Sequence, residues 1–266
     1  MGKRLAFISS GFLEEYSRRC KINWFDAFNK LKAGKESAIQ NFEYYIIASS
    51  LFSSKIEGNS LDINSFMRNR GKRSFRKYKE VTEIEDLVKA YKFANQNKIT
   101  ITNFLEAHRI LSQKLVDAKN RGKFRKHQVG VYDSSTGRPV YIAVEPENVS
   151  EEITKLFEDI STLVSRDLSY KEVFYYASMI HLWTAKIHPF ADGNGRSARL
   201  LEKWFLAVKL GSAAWSVNSE KYYWDNRPEY YKNISLGFNY YALSWDRCIP
   251  FLLMLPQALS ISFKHD

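Results

Sequence analysis

The sequence predicts an all-α fold carrying a single β-hairpin, on three observations. Apolar residues recur at helical spacing in several long segments. Capping-box patterns, in which a Ser or Thr is followed three residues later by Glu, stand beside some of them. β-branched and aromatic residues concentrate between positions 124 and 144, where one turn-rich stretch divides them.

The elements follow in order. Phe42–Lys55 reads as a helix with Phe42, Tyr45, Ile46, Leu51 and Phe52 largely on one side, and Gly58 is a natural residue just past its end. Thr82 with Glu85 reads as a capping box, and Asn103 with Glu106 is similar in kind. Phe104, His108, Leu111 and Leu115 form a stripe in which His108 reads as a satisfied core histidine. Phe124–Tyr132 and Arg138–Val144 are the two strands, joined through Asp133–Gly137. Val149, Ile153, Leu156, Ile160 and Leu163 make a further stripe. Ser169 with Glu172 caps the helix of Val173, Phe174, Ala177, Ile180, Trp183 and Ile187. His181 on that helix reads as structural, because no ligand cluster of zinc-like spacing accompanies it. Leu200, Leu201, Trp204, Phe205 and Val208 form the last long stripe, and Gly211 stops it.

Composition bounds the class. The chain has 266 residues and 45% hydrophobic content, enough for one core or one core with an appended layer. A helical region over 1–100 and a core over 101–266, with the hairpin at 124–144, is the expected division. The net charge is +11, and its densest run is Arg68–Lys79. That run reads as a solvated loop in preference to a binding surface, so nucleic acid is not expected as a partner. The two cysteines, Cys20 and Cys248, are too few for a disulfide framework and read as free thiols in a reducing compartment. Ile249–Pro256 is too short to span a bilayer, and the first ten residues do not form a signal peptide. No membrane partner is expected, and the expected location is cytoplasmic.

The densest chemistry lies in His188-Pro-Phe-Ala-Asp192-Gly193-Asn194-Gly195-Arg196-Ser-Ala-Arg199, directly before the last apolar helix. Glycines at a helix start let a ligand approach the backbone, whose free N–H groups attract anions. Arg196 and Arg199 share a helix face, and both can fork onto phosphate oxygens. Two arginines oppose the dipole at a helix start, and a bound anion removes the conflict. Asp192 can cap the helix or hold Mg2+ between phosphates. His188 can take a proton near neutral pH. A Gly-Lys-Ser/Thr ending is absent, so this is not a P-loop. Upstream, Glu57 puts a negative charge at the negative end of its helix; a buried arginine partner would explain it.

The segment 188–199 resembles the Fic-domain signature HPFxDGNGRxxR at every fixed position. The resemblance implies an all-α Fic fold, a helical bundle with one hairpin flap. It also implies an enzyme, a protein adenylyltransferase that moves AMP from ATP to a Ser, Thr or Tyr hydroxyl of a target protein. His188 becomes the base and Asp192 the Mg2+ ligand. Gly193, Asn194 and Gly195 form the phosphate cradle, Arg196 and Arg199 bind the β- and γ-phosphates, and Phe190 anchors the loop. The alanine and lysine variants of the kinase-like and phosphocholine-transferring branches are absent, which argues for AMP transfer.

Ser53-x-x-x-Glu57-Gly58 is similar to the family's inhibitory motif, and implies autoinhibition through pairing of Glu57 with Arg199. The hairpin is similar to the family's flap, which clamps the target segment by strand pairing; Val131, Tyr132, Tyr141 and Ile142 are the residues expected to meet it. The usual Pro-Pro after the second strand is replaced here by Glu145-Pro146. Relatives carry a Tyr-Tyr pair lining the nucleoside pocket, which implies that role for Tyr230 and Tyr231, with Asn239 as a further adenine contact. Homodimers that control the inhibitory helix are common in the family, so a second copy of the chain is a candidate partner. Three other readings stay open: AMP removal assisted by Glu57, another nucleotide donor, and an ATP-sensing basic module without transfer activity.

Overall fold

The computed structural model describes residues 5–24, 26, 27, 41–73, 76–132 and 136–260. Residues 1–4, Ser74 and Phe75 of the basic run, and Asp133–Ser135 of the hairpin turn lie outside the described residues. The expected all-α class holds: helices make up nearly all regular structure described, and the one sheet is a two-stranded hairpin.

In chain order the helices begin with α1 (Leu13–Arg19), α2 (Phe42–Ile56), α3 (Ile63–Asn69), α4 (Tyr78–Gln96) and α5 (Ile101–Leu111). The hairpin follows as β1 (Gly130–Tyr132) and β2 (Pro139–Ile142). Then come α6 (Val149–Ser165), α7 (Tyr170–Ile187), α8 (Asn194–Leu210), α9 (Ser219–Asp225), α10 (Arg227–Ile234), α11 (Ile249–Leu252) and α12 (Met254–Gln257).

Local chemistry explains the boundaries. Ser169 caps α7 as a full capping box: its amide donates to Glu172 Oε2 at 2.8 Å while Glu172 N–H donates back to Ser169 Oγ at 3.4 Å. Gly193 caps α8 in the left-handed region, and Gly211 at φ 78° stops it. Two expected caps fall elsewhere. Thr82 lies inside α4, where its hydroxyl donates to the Tyr78 carbonyl at 2.8 Å. The buried stripe of Val81, Ile84, Leu87 and Val88 carries that helix back past the box-like pattern. Thr100, not Asn103, caps α5, and the helix ends before Leu115.

α7 and α8 are the most extensively packed pair, and the loop between them carries the signature. A single buried cluster runs from Ile8 to Ala258. It crosses the division expected near residue 100. Phe7 packs on Trp183 at 4.2 Å between ring centres, and Asp159 accepts the N–H groups of Ala6, Phe7 and Ile8 at 2.8, 2.7 and 2.7 Å. Trp204 Nε1–H reaches the Asn97 carbonyl at 3.0 Å. The helices before residue 100 cannot bury their apolar faces alone, so they share the core of those after it.

α2 is held against α4 and α9, burying Ile46, Ile47 and Leu51. A polar cluster also docks it. The Lys203 ammonium, fully buried, pairs with Glu220 and donates to Ser49 Oγ of α2 at 2.8 Å. Tyr91 O–H donates to Glu220 at 2.7 Å, so the buried charges are hydrogen-bonded from several sides. No helix among the described residues is long and apolar enough to cross a membrane.

Candidate active site

The loop from His188 to Gly193 takes its shape from a few side chains. Phe190 is fully buried and stacks on His108 at 3.6 Å with an interplanar angle of 1°. His108 Nδ1 accepts the Gly122 N–H at 3.0 Å, so Nε2 carries the proton that goes to the Asp192 carbonyl at 3.0 Å. Burial pushes the His108 pKa down to about 4, which fits this neutral tautomer. Asn194 turns inward: its amide oxygen accepts Phe190 N–H and its amide nitrogen donates to Phe190 C=O, both at 2.8 Å. Its side chain is thereby committed to the loop, leaving its backbone for a ligand. Gly193 adopts φ 80°, and a Cβ there would come 3.2 Å from Leu111 Cδ1.

His188 is the one non-glycine residue with positive φ among the described residues, at 53°. A left-handed conformation in a bulky residue is a strained one, maintained by its surroundings. Its Nδ1–H donates to the Ala185 carbonyl at 3.3 Å, which leaves Nε2 with a free lone pair. Burial, followed by the charges of Arg125 and Lys186, pulls its pKa down to about 4 against the opposing pull of the Ala185 bond and Glu57. The imidazole is therefore neutral at physiological pH, the form a base needs.

Across the start of α8 lies Glu57. Its Oε1 accepts from Arg199 Nη2 at 2.7 Å, and a Cβ built on Gly195 would lie only 2.4 Å from that oxygen. A carboxylate oxygen thus rests directly over the glycine backbone of a helix N-terminus, where the fold offers an anion site. Burial raises the Glu57 pKa, and the fields of Arg199 and Arg196 more than reverse this, so the net shift is downward and the group is ionised. Ser53 completes the contact: its Oγ accepts from Arg199 Nε and its carbonyl from Nη2, both at 3.0 Å. Arg199 is 1% exposed, and its pKa is raised: burial lowers it, but Tyr230 and Glu57 outweigh that. Gly58 follows at φ 105°, turning the chain away at the end of α2.

The family model of the Fic/DOC family matches residues 98–206. The protein adenylyltransferase Fic of Drosophila willistoni is 31% identical over 185 residues, covering 66% of this chain and 33% of that protein. The same-named protein of Aedes aegypti is 32% identical over 180 residues, covering 64% and 32%. The chain therefore spans about a third of the curated relatives it matches. A Fic family protein from Desulfovibrio desulfuricans G20 superposes with TM-score 0.72 at 19% identity, over 97% of this chain and 74% of that one. A fragment of Fic-1 from C. elegans gives TM-score 0.64 at 20% identity, over 94% and 70%. This chain is a Fic-domain protein.

The signature arginines of this Fic domain are both paired with carboxylates from the N-terminal helices. Arg196 Nη2 donates to Glu83 Oε1 on α4 at 2.6 Å, and Ser54 Oγ donates to the same oxygen at 2.7 Å. Glu83 escapes a sequence reading because α4 is rich in glutamates and only packing shows which one faces Arg196. Asp192 keeps 57% of its side chain open, beside Arg196 at 4.0 Å. No cluster of three or more His, Cys, Asp or Glu forms among the described residues. A single open carboxylate of this kind suits a hard cation held mostly by phosphates and water.

Arg125 is a second residue that sequence reasoning missed, since in a chain with 40 Lys and Arg one more cation carries no signal. It is buried, and its guanidinium donates to the carbonyls of His188 at 2.8 Å, His127 at 3.1 Å and Val144. Its own N–H donates to Pro189 C=O at 3.0 Å. One side chain thus ties both roots of the flap to the strained turn at His188.

In the flap, Val131 pairs with Tyr141 and a bulge follows before Tyr132. The four expected target residues differ in exposure by strand. Val131 and Tyr132 are exposed, whereas Tyr141 is 5% exposed and donates its hydroxyl to the Lys186 carbonyl at 2.6 Å. Ile142 N–H is taken by the Phe238 carbonyl at 2.8 Å, so the far end of β2 pairs with the chain's own segment. Tyr230 is 2% exposed, with its hydroxyl on Arg199 at 3.2 Å. Tyr231 is 43% exposed and donates to the Ile56 carbonyl at 3.0 Å, so of the pair it is Tyr231 whose ring remains available to a nucleoside. Asn239 Oδ1 accepts from the N–H groups of Tyr241 and Ala242, both at 3.0 Å, which commits it to a local turn.

Proposed function

We propose that this Fic-domain protein transfers AMP from ATP to a hydroxyl side chain of a target protein, and that Glu57 holds it inactive. The observation that carries this reading is the Glu57 carboxylate lying over Gly195 and against Arg199, an anion occupying the anion cradle beside a neutral, pre-oriented histidine. The names of the Drosophila and Aedes relatives supply the reaction class.

In this mechanism the ATP phosphates take the start of α8, where Arg199 meets the γ-phosphate and Arg196 the β-phosphate. Asp192 holds Mg2+, which neutralises charge on the phosphates when bound. The flap presents a target segment, with Val131 and Tyr132 facing outward. The target hydroxyl oxygen attacks the α-phosphorus; its proton passes to His188 Nε2 as the bond to pyrophosphate breaks. Positioning and charge neutralisation supply most of the rate. Glu57 blocks the γ-phosphate position, and Glu83 on Arg196 adds a second pairing that ATP must displace. A reducing, cytoplasmic setting is part of this reading, supported by two free cysteines.

Auto-modification with α-labelled ATP and Mg2+ tests the proposal. Glu57→Gly should label strongly, while wild type and Glu57→Gly with His188→Ala should not. Equal labelling of wild type and Glu57→Gly would refute autoinhibition. AMP removal is a second reading, in which Glu57 orients a water; the 28% of its side chain that is open beside His188 supports it. A time course on a pre-modified target separates the two directions.

A further inference from the structure

Of the four hydrogen bonds made by the Arg199 guanidinium, three end on α2 and one on Tyr230. The three are those donated to Ser53 Oγ, Ser53 C=O and Glu57 at the end of that helix, the segment that must give way if the phosphate site is to open. The fourth goes to the other side of the site, and what lies behind it is a buried chain of polar groups with a proton arrangement that gives every bond a donor.

That arrangement follows from donor and acceptor chemistry alone. A guanidinium only donates, so Nη1 gives its hydrogen to the Tyr230 oxygen at 3.2 Å. Tyr230 has one proton, and it must point to another acceptor. His181 Nε2 lies 3.1 Å away. With Nε2 accepting, the neutral imidazole carries its proton on Nδ1, which faces Glu202 Oε2 at 2.8 Å. Tyr223 O–H donates to the same carboxylate oxygen at 2.8 Å. His181 and Glu202 are fully buried, so no solvent competes for these bonds. His181 and Glu202 thus fix the Tyr230 hydroxyl with its lone pair aimed at Arg199.

We propose that Tyr230, oriented by His181 and Glu202, is the positioning residue that keeps Arg199 aimed into the phosphate site once Glu57 has let go. Glu57 and Ser53 hold the guanidinium in the inhibited form. Without them, a long flexible side chain at a helix start would have no partner to retain its fork geometry between turnovers. The Tyr230 brace supplies that partner from the catalytic helices α7, α8 and α10, independently of α2. The role rests on the reading that Arg199 meets the γ-phosphate, and the consequence is a selective one. Losing the brace should weaken ligands that carry a γ-phosphate and leave those without it unchanged.

The test is calorimetric binding of ATP and of ADP, each with Mg2+, to Glu57→Gly with His188→Ala, where turnover is blocked. Into this parent go Tyr230→Phe, His181→Leu and His181→Gln. The parent should prefer ATP over ADP. Tyr230→Phe and His181→Leu should each weaken ATP about tenfold, the scale of a hydrogen bond to a charged group, with ADP unchanged. His181→Gln, whose amide oxygen can accept the Tyr230 proton, should restore ATP binding. Either of the first two variants suffices if the other does not fold. An ATP preference in the parent that survives both would overturn the brace. Equal loss of ATP and ADP would also overturn it, since that marks a general packing defect. A parent that does not distinguish ATP from ADP would refute the γ-phosphate assignment of Arg199, and the brace with it.

Discussion

Replacing Gly195 with Ala separates two things that removal of Glu57 does together: ending the Glu57–Arg199 pair and clearing the start of α8. The new Cβ would stand 2.4 Å from Glu57 Oε1 and 3.1 Å from Arg199 Nη1. Ordinary contact requires the carboxylate to retreat by roughly 1 Å. Stretching the 2.7 Å bond to Arg199 by that much ends it. The carboxylate is 28% open, so the lost pair costs about 1 kcal/mol, the range of a partly exposed ion pair. Alanine in place of glycine in a helix regains up to about 1 kcal/mol. The variant should therefore melt within a few degrees of wild type. A methyl group, however, now stands where the proposed phosphate seat requires a close approach to the backbone. Auto-labelling by Gly195→Ala should stay at the wild-type level, and adding Gly195→Ala to Glu57→Gly should cut labelling at least about tenfold. Labelling of Gly195→Ala as strong as that of Glu57→Gly would show that expelling the carboxylate is sufficient and that the glycine backbone is not the phosphate seat.

Four further outcomes follow from the same geometry. Arg125→Ala removes the donor shared by the carbonyls of His188, His127 and Val144, the last of them buried. It should cost about 3 kcal/mol in urea unfolding and lower labelling in the Glu57→Gly background at least about tenfold. Glu83→Gln in that background frees Arg196 from its carboxylate and should raise ATP affinity a few-fold by calorimetry; an unchanged affinity would mean that Glu83 does not compete with the phosphates. Labelling by Glu57→Gly should be flat between about pH 6 and 8, because His188 has its pKa lowered to about 4 and stays neutral there. Stability, by contrast, falls in acid. His108 and His188 titrate near 6.5 when unfolded and near about 4 when folded, so the unfolded chain binds more protons between those values and unfolding free energy falls as pH drops through that window.

Much of this protein is legible in its residues. Glycines and an asparagine between a histidine and a double-arginine helix start announce an anion site, because few other uses combine those residue types at that spacing. The helical stripes around Val173 and Leu200 set the two helices that carry the loop, and both form as expected. A glutamate at the wrong end of a helix dipole pointed to a cationic partner, and Arg199 is that partner. Where the reading of local patterns failed, the reason was a longer-range one. The box at Thr82 lost to the apolar stripe of α4, and the buried core runs continuously across the division expected near residue 100.

The sequence by itself determined the all-α class, the one hairpin, and the identity of the loop, because helical period, strand alternation and backbone permissiveness are local properties of residue types. Only the tertiary structure decided which charged groups meet. Arg125, Glu83 and the Glu202–His181–Tyr230 chain carry no mark that distinguishes them from their many like-charged or aromatic neighbours. Their roles arise from burial, which removes water as an alternative partner and leaves each polar group with the few donors and acceptors that packing brings within reach.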